Sequence, residues 1–313
     1  MFENCTMLPT VNMPRDQWLA ERRKGIGGSD AAAVVGMSQW ATPYTVYMDK
    51  LGLLPEKEDT EAMRQGRDLE DYVARRFAEA TGKRVRRCNY MIRNSRYPFA
   101  LADIDRVIIG QDAGLECKVT SDLRLRNFSG NEFPSRYYAQ CVHYLAVTGA
   151  SKWFLAVLVL GSGFHVFELH RDEAEISALM NAEEQLWRRI ETRDPPDMTG
   201  ADAEGTALDS GFPSSVDQEV ELFGLDDLFR ELEMADRALQ SAQQVKNRLI
   251  NVIKSHMRQA DRAVCGGYRV IWRQQTRKVL DMDALREAYP EVQFDEYMKV
   301  TTSRPFRWRG PVQ

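Results

Sequence analysis

The chain has 313 residues, of which 43% are hydrophobic and 28% charged, and its formal net charge is −4. This length accommodates one large domain or two modest ones with sizeable cores. No apolar run approaches the roughly 18 residues needed to span a bilayer, and residues 1–20 lack a signal-peptide pattern, so we expect a cytoplasmic protein with no membrane partner. Five cysteines without C-x-x-C spacing favour reduced thiols over disulfides or a zinc site.

The basic residues are concentrated in two regions although the net charge is negative. Eight lie between residues 75 and 96, and nine lie between residues 246 and 278 against the single acid Asp261. Such zones are compatible with phosphate contact, but they are more often a solvated face. The charge pattern alone therefore does not decide whether the protein binds nucleic acid.

Hydrophobic periodicity and capping residues predict alternating helices and strands in the first 193 residues. Predicted helices cover residues 14–23, 30–35 with Ser29 as N-cap, 43–48, 60–81, 134–148 and 172–192. Predicted strands cover residues 83–93, 98–109, 115–119, 153–160 and 164–169. This order is typical of an α/β or α+β core with a central mixed sheet flanked by helices.

The most informative chemical signal is a charged cluster on a predicted β-hairpin. Because side chains alternate along a strand, Glu116 and Lys118 share one face, while Leu115 and Cys117 face the core. The glycine-rich turn before them brings Asp105 near the pair. Two such carboxylates hold divalent ions that activate water and neutralise charge on a phosphate, and a lysine orients the water. The alternative is an ordinary solvated hairpin face, because D…E-x-K strings also arise by chance.

Two neighbouring elements offer further candidates. Arg22 and Ser29 flank the glycines at 25, 27 and 28, whose backbone amides precede a helix N-terminus and favour an anion such as phosphate. A flexible loop with a capped helix explains the same residues equally well. Glu70, on the helix 60–81, would complete the carboxylate cluster or orient a metal-bound water, although a surface ion pair with a nearby arginine is the simpler interpretation.

A third element, the helix 134–148, contributes Gln140. Gln140 shares a helix face with Tyr144 and is placed to bond an active-site water or a DNA phosphate, with Tyr144 packed beneath it. The alternative is an amphipathic helix edge with His143 at the surface. The order and spacing of the four histidines indicate no Ser/His/Asp or Cys/His relay, so covalent acyl chemistry is disfavoured.

Residues 194–217 contain six acids, no base and little apolar content, which is typical of a flexible linker. This linker divides a domain of residues 1–193 from a C-terminal unit of residues 218–313. In the latter, apolar residues spaced alternately by three and four from Leu225 to Ile253 predict a heptad helix with Lys246 in its seam, which favours helix packing or self-association. A strand at 268–272, a helix at 281–289 and a basic-aromatic strand at 300–308 are expected to follow.

Five short segments share their order and spacing with one known family. They read W-x-x-x-R-x-x-G-I-G-G-S-D, G-R-D-L-E, A-D-I-D-R, L-E-C-K and A-Q-C-V-H-Y-L-A-V-T-G. Together they resemble the YqaJ-type viral recombinase and phage lambda exonuclease family, over roughly residues 14–193. The resemblance implies a restriction-endonuclease-like core of the PD-(D/E)XK superfamily. The family's usual proline before the metal-binding aspartate is replaced by Ile104, and Asp103 competes with Asp105 for that role.

The resemblance also implies an activity and a set of site residues. It implies a metal-dependent 5′-to-3′ exonuclease that digests double-stranded DNA from its ends and leaves 3′ single strands for recombination. The metal would be Mg2+, with Mn2+ as an alternative. The implied catalytic residues are Glu70, Asp105, Glu116, Lys118 and Gln140; the metal ligands are Asp105, Glu116 and the Cys117 backbone carbonyl; and Arg22 and Ser29 would bind the 5′-phosphate.

The expected partners are duplex DNA ends, a single-strand annealing protein and further copies of the chain, forming a trimer by family resemblance, in a phage-infected or bacterial cell. The C-terminal unit has three candidate roles, which are oligomer assembly, holding duplex DNA and docking the annealing protein. Two alternatives to the exonuclease are an endonuclease of the same fold and a DNA-binding recombination scaffold with an inert core.

Overall fold

Two compact units make up the chain, Met1–Pro213 and Ser214–Gln313. The computed structural model describes residues 1–56, 59–121, 133–299 and 303–308, except for the side chain of Arg136. Within these residues every helix is too short or too polar to span a lipid bilayer.

The N-terminal unit alternates helices and strands, as hydrophobic periodicity predicts. Its helices are α1 (Arg15–Arg23), α2 (Gly28–Val34), α3 (Pro43–Lys50), α4 (Glu61–Thr81), α5 (Ser135–Thr148), α6 (Glu173–Thr192) and α7 (Asp202–Gly211). Its strands are β1 (Cys5–Pro9), β2 (Ile26–Gly27), β3 (Val85–Arg87), β4 (Tyr90–Asn94), β5 (Tyr97–Asp103), β6 (Arg106–Ile108), β7 (Ala113–Thr120), β8 (Lys152–Val159) and β9 (Gly163–His170).

The central sheet has the strand order β3-β6-β7-β8-β9. Strands β7 and β8 run parallel, whereas the other neighbouring strands run antiparallel. A second sheet has the order β1-β4-β5-β2 and is also mixed, because β2 runs parallel to β5. The expected fold class, an α/β core with a mixed sheet between helices, is therefore confirmed.

Helix α4 covers one face of the central sheet. It begins after Thr60, whose hydroxyl accepts a hydrogen bond from the Met63 amide, and it ends at Gly82 in the left-handed region at φ 68°. Val73 and Phe77 are fully buried, and the Phe77 ring lies 5.4 Å from the ring of Phe154 on β8. The apolar face of this amphipathic helix packs against the adjacent strand β7, which carries the predicted charged cluster.

Helix α5 covers the opposite face. Cys141 and Leu145 lie in one buried cluster with Leu155 and Val157 of β8. Because Phe154 of the same strand faces α4, β8 is buried on both sides. Its continuous apolar sequence is typical of such a strand.

Two predicted strands are each broken where the chain passes from one sheet to the other. The predicted strand 83–93 divides into β3 and β4, and the predicted strand 98–109 divides into β5 and β6. Both breaks fall together, because β4 pairs with β5 in one sheet while β3 pairs with β6 in the other. At the crossing the Cys88 amide donates to the carbonyl of Asp105, over 3.4 Å. The double crossing holds Asp105 in the gap between the sheets.

The predicted flexible linker 194–217 is wrong for residues 202–211, which form α7. Ala207 is buried in a cluster with Tyr47 of α3 and Leu186 of α6. The Glu204 carboxylate accepts hydrogen bonds from the amides of Thr199 and Gly200 and so closes the turn before the helix. One small buried face and one local acceptor are enough to fold a segment that is acidic overall, and the division between units falls at Pro213 instead.

The C-terminal unit contains the predicted heptad helix. Its elements are α8 (Asp226–Met257), β10 (Arg262–Cys265), β11 (Tyr268–Ile271), α9 (Met282–Ala288) and a short 3-10 helix (Phe294–Tyr297). Strands β10 and β11 form an antiparallel hairpin around Gly266 and Gly267, both at positive φ. The strand predicted at 300–308 is absent from residues 303–308, where Pro305 lacks an amide donor, and residues 300–302 lie outside the described residues.

Candidate active site

Strand β7 carries the predicted pair of charged side chains on one face. Glu116 is 2% exposed, and its Oε1 lies 2.6 Å from Lys118 Nζ. Leu115 points to the opposite side and is buried against Phe77, as the alternation predicts. Asp105 reaches the same strand from the sheet crossing, where its Oδ2 accepts a hydrogen bond from the Cys117 amide over 2.7 Å. The structure therefore brings Asp105, Glu116 and Lys118 together.

The two carboxylates lie in an environment that disfavours their charge. Burial raises the pKa of Glu116. Burial, with the charges of Glu116 and Glu70, raises the pKa of Asp105 well above its ordinary value. Burial alone would lower the pKa of Lys118, but the neighbouring Glu116 and Asp105 carboxylates raise it. One lysine thus faces two acids, the buried Glu116 and the half-buried Asp105, so the cluster has more carboxylates than cations.

One buried oxygen atom of the cluster lacks a hydrogen-bond partner among the described residues. This atom is Oε2 of Glu116. Leaving a buried carboxylate oxygen unpaired is costly unless a cation compensates it. The described residues offer no set of three or more His, Cys, Asp or Glu side chains close enough to hold a metal ion alone. Two carboxylates are nevertheless a normal protein contribution for Mg2+, which keeps water and substrate oxygens as its other ligands.

Gln140 holds Glu116 in place. Its Nε2 donates to Glu116 Oε1 and to the Tyr144 hydroxyl, both over 2.8 Å, and Tyr144 in turn donates to the carbonyl oxygen of Asp103 over 3.1 Å. Tyr144 is 4% exposed. The predicted shared face of Gln140 and Tyr144 is confirmed, and Gln140 bonds to the carboxylate.

The structure separates the surroundings of Asp103 and Asp105. Asp103 Oδ2 accepts a hydrogen bond from Trp18 Nε1 over 3.1 Å, and burial raises the pKa of Asp103. Asp105 instead lies against β7, where the Glu116 charge acts on it. Asp105 is therefore the partner of Glu116. Asp103 instead holds α1 in place through its hydrogen bond with Trp18.

Glu70 lies at the edge of this site. Its Oε1 accepts a hydrogen bond from the guanidinium of Arg106, whose side chain is 4% exposed and also contacts Asp71. Glu70 therefore forms an ion pair, as the simpler interpretation predicted, but its partner is the buried Arg106 and not a surface arginine. Glu70 acts on the carboxylate cluster through its charge, which contributes to the raised pKa of Asp105.

Arg22 and Ser29 meet beside α2, as predicted. The Arg22 guanidinium donates to the Ser29 hydroxyl and lies 5.4 Å from the centre of the Trp18 ring. Ser29 is not the N-cap of α2: the helix begins at Gly28, because the carboxylate of Asp30 reaches back to the Gly27 amide over 2.9 Å and satisfies it from within the first turn.

A buried ion pair lies behind Arg22. Lys50 Nζ, with a side chain that is fully buried, lies 2.7 Å from Asp30 Oδ2, and Arg22 lies 3.5 Å from Asp30 Oδ1. Burial would raise the pKa of Asp30, but Lys50 and Arg22 together lower it to about 2. The charge of the Asp30 carboxylate is therefore fully compensated within the protein.

A single cavity of about 180 Å³ joins the two groups. Its lining residues are Trp18, Arg22, Gly27, Gly28, Ser29, Met91, Leu101, Asp103, Asp105, Glu116, Gln140 and Tyr144. Gly28 allows this closeness, since a Cβ atom there would lie 2.5 Å from the Tyr144 ring. The cavity thus has one wall of carboxylates, formed by Asp105 and Glu116, and one wall of hydrogen-bond donors, formed by Arg22, Ser29 and the start of α2.

Several supporting residues escape prediction because their partners are distant in sequence. Lys50 lies outside every motif, and Trp18 and Asp30 lie in the first motif without a predicted contact. His143 is fully buried, with Nδ1 2.8 Å from Glu183 Oε1 and Nε2 2.7 Å from the Leu101 carbonyl, so the surface interpretation of His143 is wrong. The sequence did contain a signal, because His143 lies within the largely apolar run from Ala139 to Val147.

The fold and the cavity define an α/β protein with adjoining candidate cation and phosphate sites. The chain belongs to the YqaJ-like viral recombinase family, as its motifs predict. Residues 17–151 match the YqaJ-like viral recombinase domain. Over 304 residues the chain is 34% identical to the uncharacterized protein YqaJ of Bacillus subtilis (strain 168), a match that covers 95% of this chain and 94% of YqaJ.

Two solved structures match part of the chain. An alkaline exonuclease, LHK-Exo from Laribacter hongkongensis, matches with a TM-score of 0.49 and 17% identity, over 57% of this chain and 94% of that one. A phage related exonuclease from Haemophilus somnus 129PT matches with a TM-score of 0.42 and 11% identity, over 54% of this chain and 96% of that one.

Proposed function

We propose that this protein is a metal-dependent 5′-to-3′ exonuclease that acts on the ends of double-stranded DNA and leaves 3′ single strands for phage-type recombination. The observation that carries the proposal is the single cavity shared by Asp105, Glu116, Arg22 and Ser29. A cation site next to an anion site suits a phosphodiester, whose phosphate needs both. Membership of a viral recombinase family supports the role in recombination.

Asp105 and Glu116 would hold a divalent cation, Mg2+ or Mn2+, with the backbone carbonyl of Cys117 as a further oxygen ligand. The residues fit such an ion, because Glu116 Oε2 is buried without a hydrogen-bond partner among the described residues and hard cations take oxygen ligands. When bound, the cation would activate water and neutralise charge that develops on the phosphate.

The other side chains have separable roles in this proposal. Lys118, 2.6 Å from Glu116, would orient the attacking water and balance negative charge. Gln140 would keep Glu116 in its ligating orientation through the hydrogen bond that it already donates. Glu70 would act from the edge of the site, through Arg106 and through its own charge.

Arg22 and Ser29 would bind the terminal 5′-phosphate. The Arg22 guanidinium, which donates to Ser29, presents a planar set of donors suited to phosphate oxygens. Its ion pair with Asp30 and its contact with the Trp18 ring hold it in place before the substrate arrives. Such preorganisation favours substrates that carry a phosphate at the 5′ end.

The proposed setting is the cytoplasm of a phage-infected or bacterial cell. There, a single-strand annealing protein would take up the 3′ strand that the exonuclease exposes. A trimer that encloses the duplex would keep the enzyme on one DNA molecule through successive cleavages.

The decisive experiment digests linear duplex DNA with and without a 5′-phosphate, in Mg2+ and in EDTA. We expect digestion in Mg2+ alone and a preference for the phosphorylated end. Cutting of covalently closed circular DNA at a comparable rate would instead indicate an endonuclease, and activity in EDTA would contradict the metal-dependent mechanism.

A matched pair of lysine variants tests for an inert core. Lys118 and Lys152 have similarly exposed side chains, 27% and 30%, and Lys152 lies on β8 paired with Glu168. Lys118→Ala should abolish digestion while DNA binding is retained, and Lys152→Ala should digest normally. Unchanged digestion by Lys118→Ala would contradict its proposed role.

A further inference from the structure

Helix α8 carries a long apolar stripe that is exposed. Leu228, Leu239, Leu249 and Ile253 are 59%, 68%, 54% and 44% exposed, and within α8 only Met257 is buried. They belong to a series whose members alternate spacings of four and three, which is the seam of a coiled coil: Leu228, Leu232, Ala235, Leu239, Ala242, Lys246, Leu249 and Ile253. An apolar stripe of this length is typical of a helix-packing surface rather than of a solvated face.

Charge is distributed unevenly along α8. Residues 226–241 contain five acids and two bases, whereas residues 242–257 contain three bases and no acid. Two parallel copies of α8 would place like charges side by side. Two antiparallel copies would place the acidic half of each helix beside the basic half of the other, and their helix dipoles would also be opposed favourably.

Lys246 gives an independent reason for the antiparallel arrangement. It occupies a core position of the seam, so a parallel pair would bring it against Lys246 of the second copy, and like charges there are destabilising. In the antiparallel register with the longest seam overlap, Lys246 faces the small Ala235 of the second copy. The neighbouring Asp236, whose Oδ2 accepts a hydrogen bond from Trp308 of its own chain, brings a carboxylate to that layer.

We propose that α8 binds α8 of a second copy of this chain as an antiparallel, two-fold symmetric coiled coil centred between Gln240 and Ser241. With respect to the trimer proposed above, each such pair joins chains of two different trimers, so breaking the pair halves the mass of the assembly. The remaining seam layers then match, with leucine, isoleucine or alanine on both sides. In this register Leu232 faces Leu249, Leu228 faces Ile253 and Leu239 faces Ala242 of the second copy, and the flanking Phe229 lies beside Ile250. The same surface is used by both copies, as two-fold symmetry requires.

Two glutamate substitutions in the full-length protein test the pairing by mass. Leu232→Glu places a charge in the seam, and Gln244→Glu places the same charge on the outer face of the same helix. By light scattering after size exclusion, the Leu232→Glu protein should have half the mass of the Gln244→Glu protein, with equal helical circular dichroism. Equal masses of the two variants would overturn the proposal.

Disulfide crosslinking tests the direction of the helices. In a Cys265→Ser background, which removes the exposed thiol of the C-terminal unit, chains with Leu228→Cys are mixed with chains carrying Ile253→Cys. We expect covalent dimers in the mixture and none from either variant alone. Dimers from Leu228→Cys alone would show a parallel pair, and no dimer in the mixture would show that α8 binds something else; either result overturns the proposal. Neither readout depends on DNA cleavage, so this inference and the proposed function fail separately.

Discussion

The pKa values of the carboxylates shift in opposite directions on the two walls of the cavity. On the wall at α2, Asp30 has a side chain that is 15% exposed and lies between Lys50 and Arg22, which lower its pKa to about 2. On the wall at β7, burial and like charges raise the pKa of Asp105, and burial raises the pKa of Glu116. The carboxylate of the first wall is therefore compensated by two cations of the protein, whereas in the second wall a single lysine faces two carboxylates. Under the proposed function, the first wall is set before substrate binds, whereas the second would be completed by a cation.

Removal of charge from the second wall should have the largest effect on activity. Glu116→Gln should reduce digestion of duplex DNA by about 10³-fold, because a transition-state charge loses its compensation. The free energy of unfolding should stay equal or rise, since the substitution removes a buried carboxylate charge. Rates on end-labelled DNA and urea titrations measure the two effects. Glu168→Gln, at a half-exposed carboxylate on β9, is the matched control, and nearly normal rates for Glu116→Gln would contradict the comparison.

Disruption of the first wall should reduce stability instead. Lys50→Met leaves the Asp30 carboxylate buried without its lysine, and such a loss costs about 3–5 kcal/mol. Urea unfolding at pH 7 measures this change. Lys24→Met, which removes a 58% exposed lysine from a surface pair with Glu21, should change the free energy of unfolding by less than about 1 kcal/mol. Equal changes in the free energy of unfolding for the two substitutions would show that the ion pair between Lys50 and Asp30 does not stabilise the fold.

The pH dependence of the Lys50→Met defect follows from the sign of the Asp30 shift. The pKa of Asp30 is lowered from 3.8 to about 2 in the folded protein, so its stabilising contribution is complete above 3.8 and is lost as the pH falls through about 2. In Lys50→Met that contribution is reduced. The stability difference between the natural protein and the variant should therefore narrow between pH 4 and pH 2, and a gap that widens on acidification would contradict it.

A milder change in the first wall should alter substrate preference. Arg22→Lys keeps the positive charge but loses the planar donor set, so digestion of 5′-phosphorylated ends should slow by about ten- to a hundredfold. Ends with a 5′-hydroxyl should be digested at nearly the natural rate. Arg15→Lys, on the same helix but paired with Glu56 at the surface, should behave like the natural protein. Equal slowing on both kinds of end would remove the phosphate role of Arg22.

The smallest effect is expected where the walls join. Tyr144→Phe removes the hydroxyl that links Gln140 to the Asp103 carbonyl, which should cost about 1 kcal/mol of stability. Digestion should slow by less than about tenfold, because Gln140 keeps its bond to Glu116. Tyr90→Phe, at a more exposed tyrosine, is the control for thermal unfolding and rates. A loss as large as that of Glu116→Gln would place Tyr144 itself in the chemistry.

The sequence predicted those features that depend on local periodicity. The bounds of α4, the existence of β8 and the shared face of Glu116 and Lys118 all follow from the sequence pattern along a single helix or strand. The breaks between β3 and β4 and between β5 and β6 were not predicted, because each depends on which sheet a strand joins. No local pattern distinguishes a continuous strand from one that changes sheets.

The site was predictable to a similar extent. Motif order located the members of both walls, and the structure brings Arg22 to Ser29 and Asp105 to Glu116. The residues that support them, such as Trp18 and Lys50, were missed because their partners lie 85 and 20 residues away, and only the folded chain brings them together. The acidic segment before Pro213 shows the converse error, since overall composition concealed the helix α7.

The alternation of side chains along strand β7 also restricts how the chain can fold. Its alternate residues serve two purposes, because Leu115 packs against α4 while Glu116 and Lys118 line the site. A shift of β7 by one residue against β8 would exchange these faces, burying two charges in the core and placing leucine in the cavity. The hydrogen-bond register that permits folding is thus the register that assembles the site.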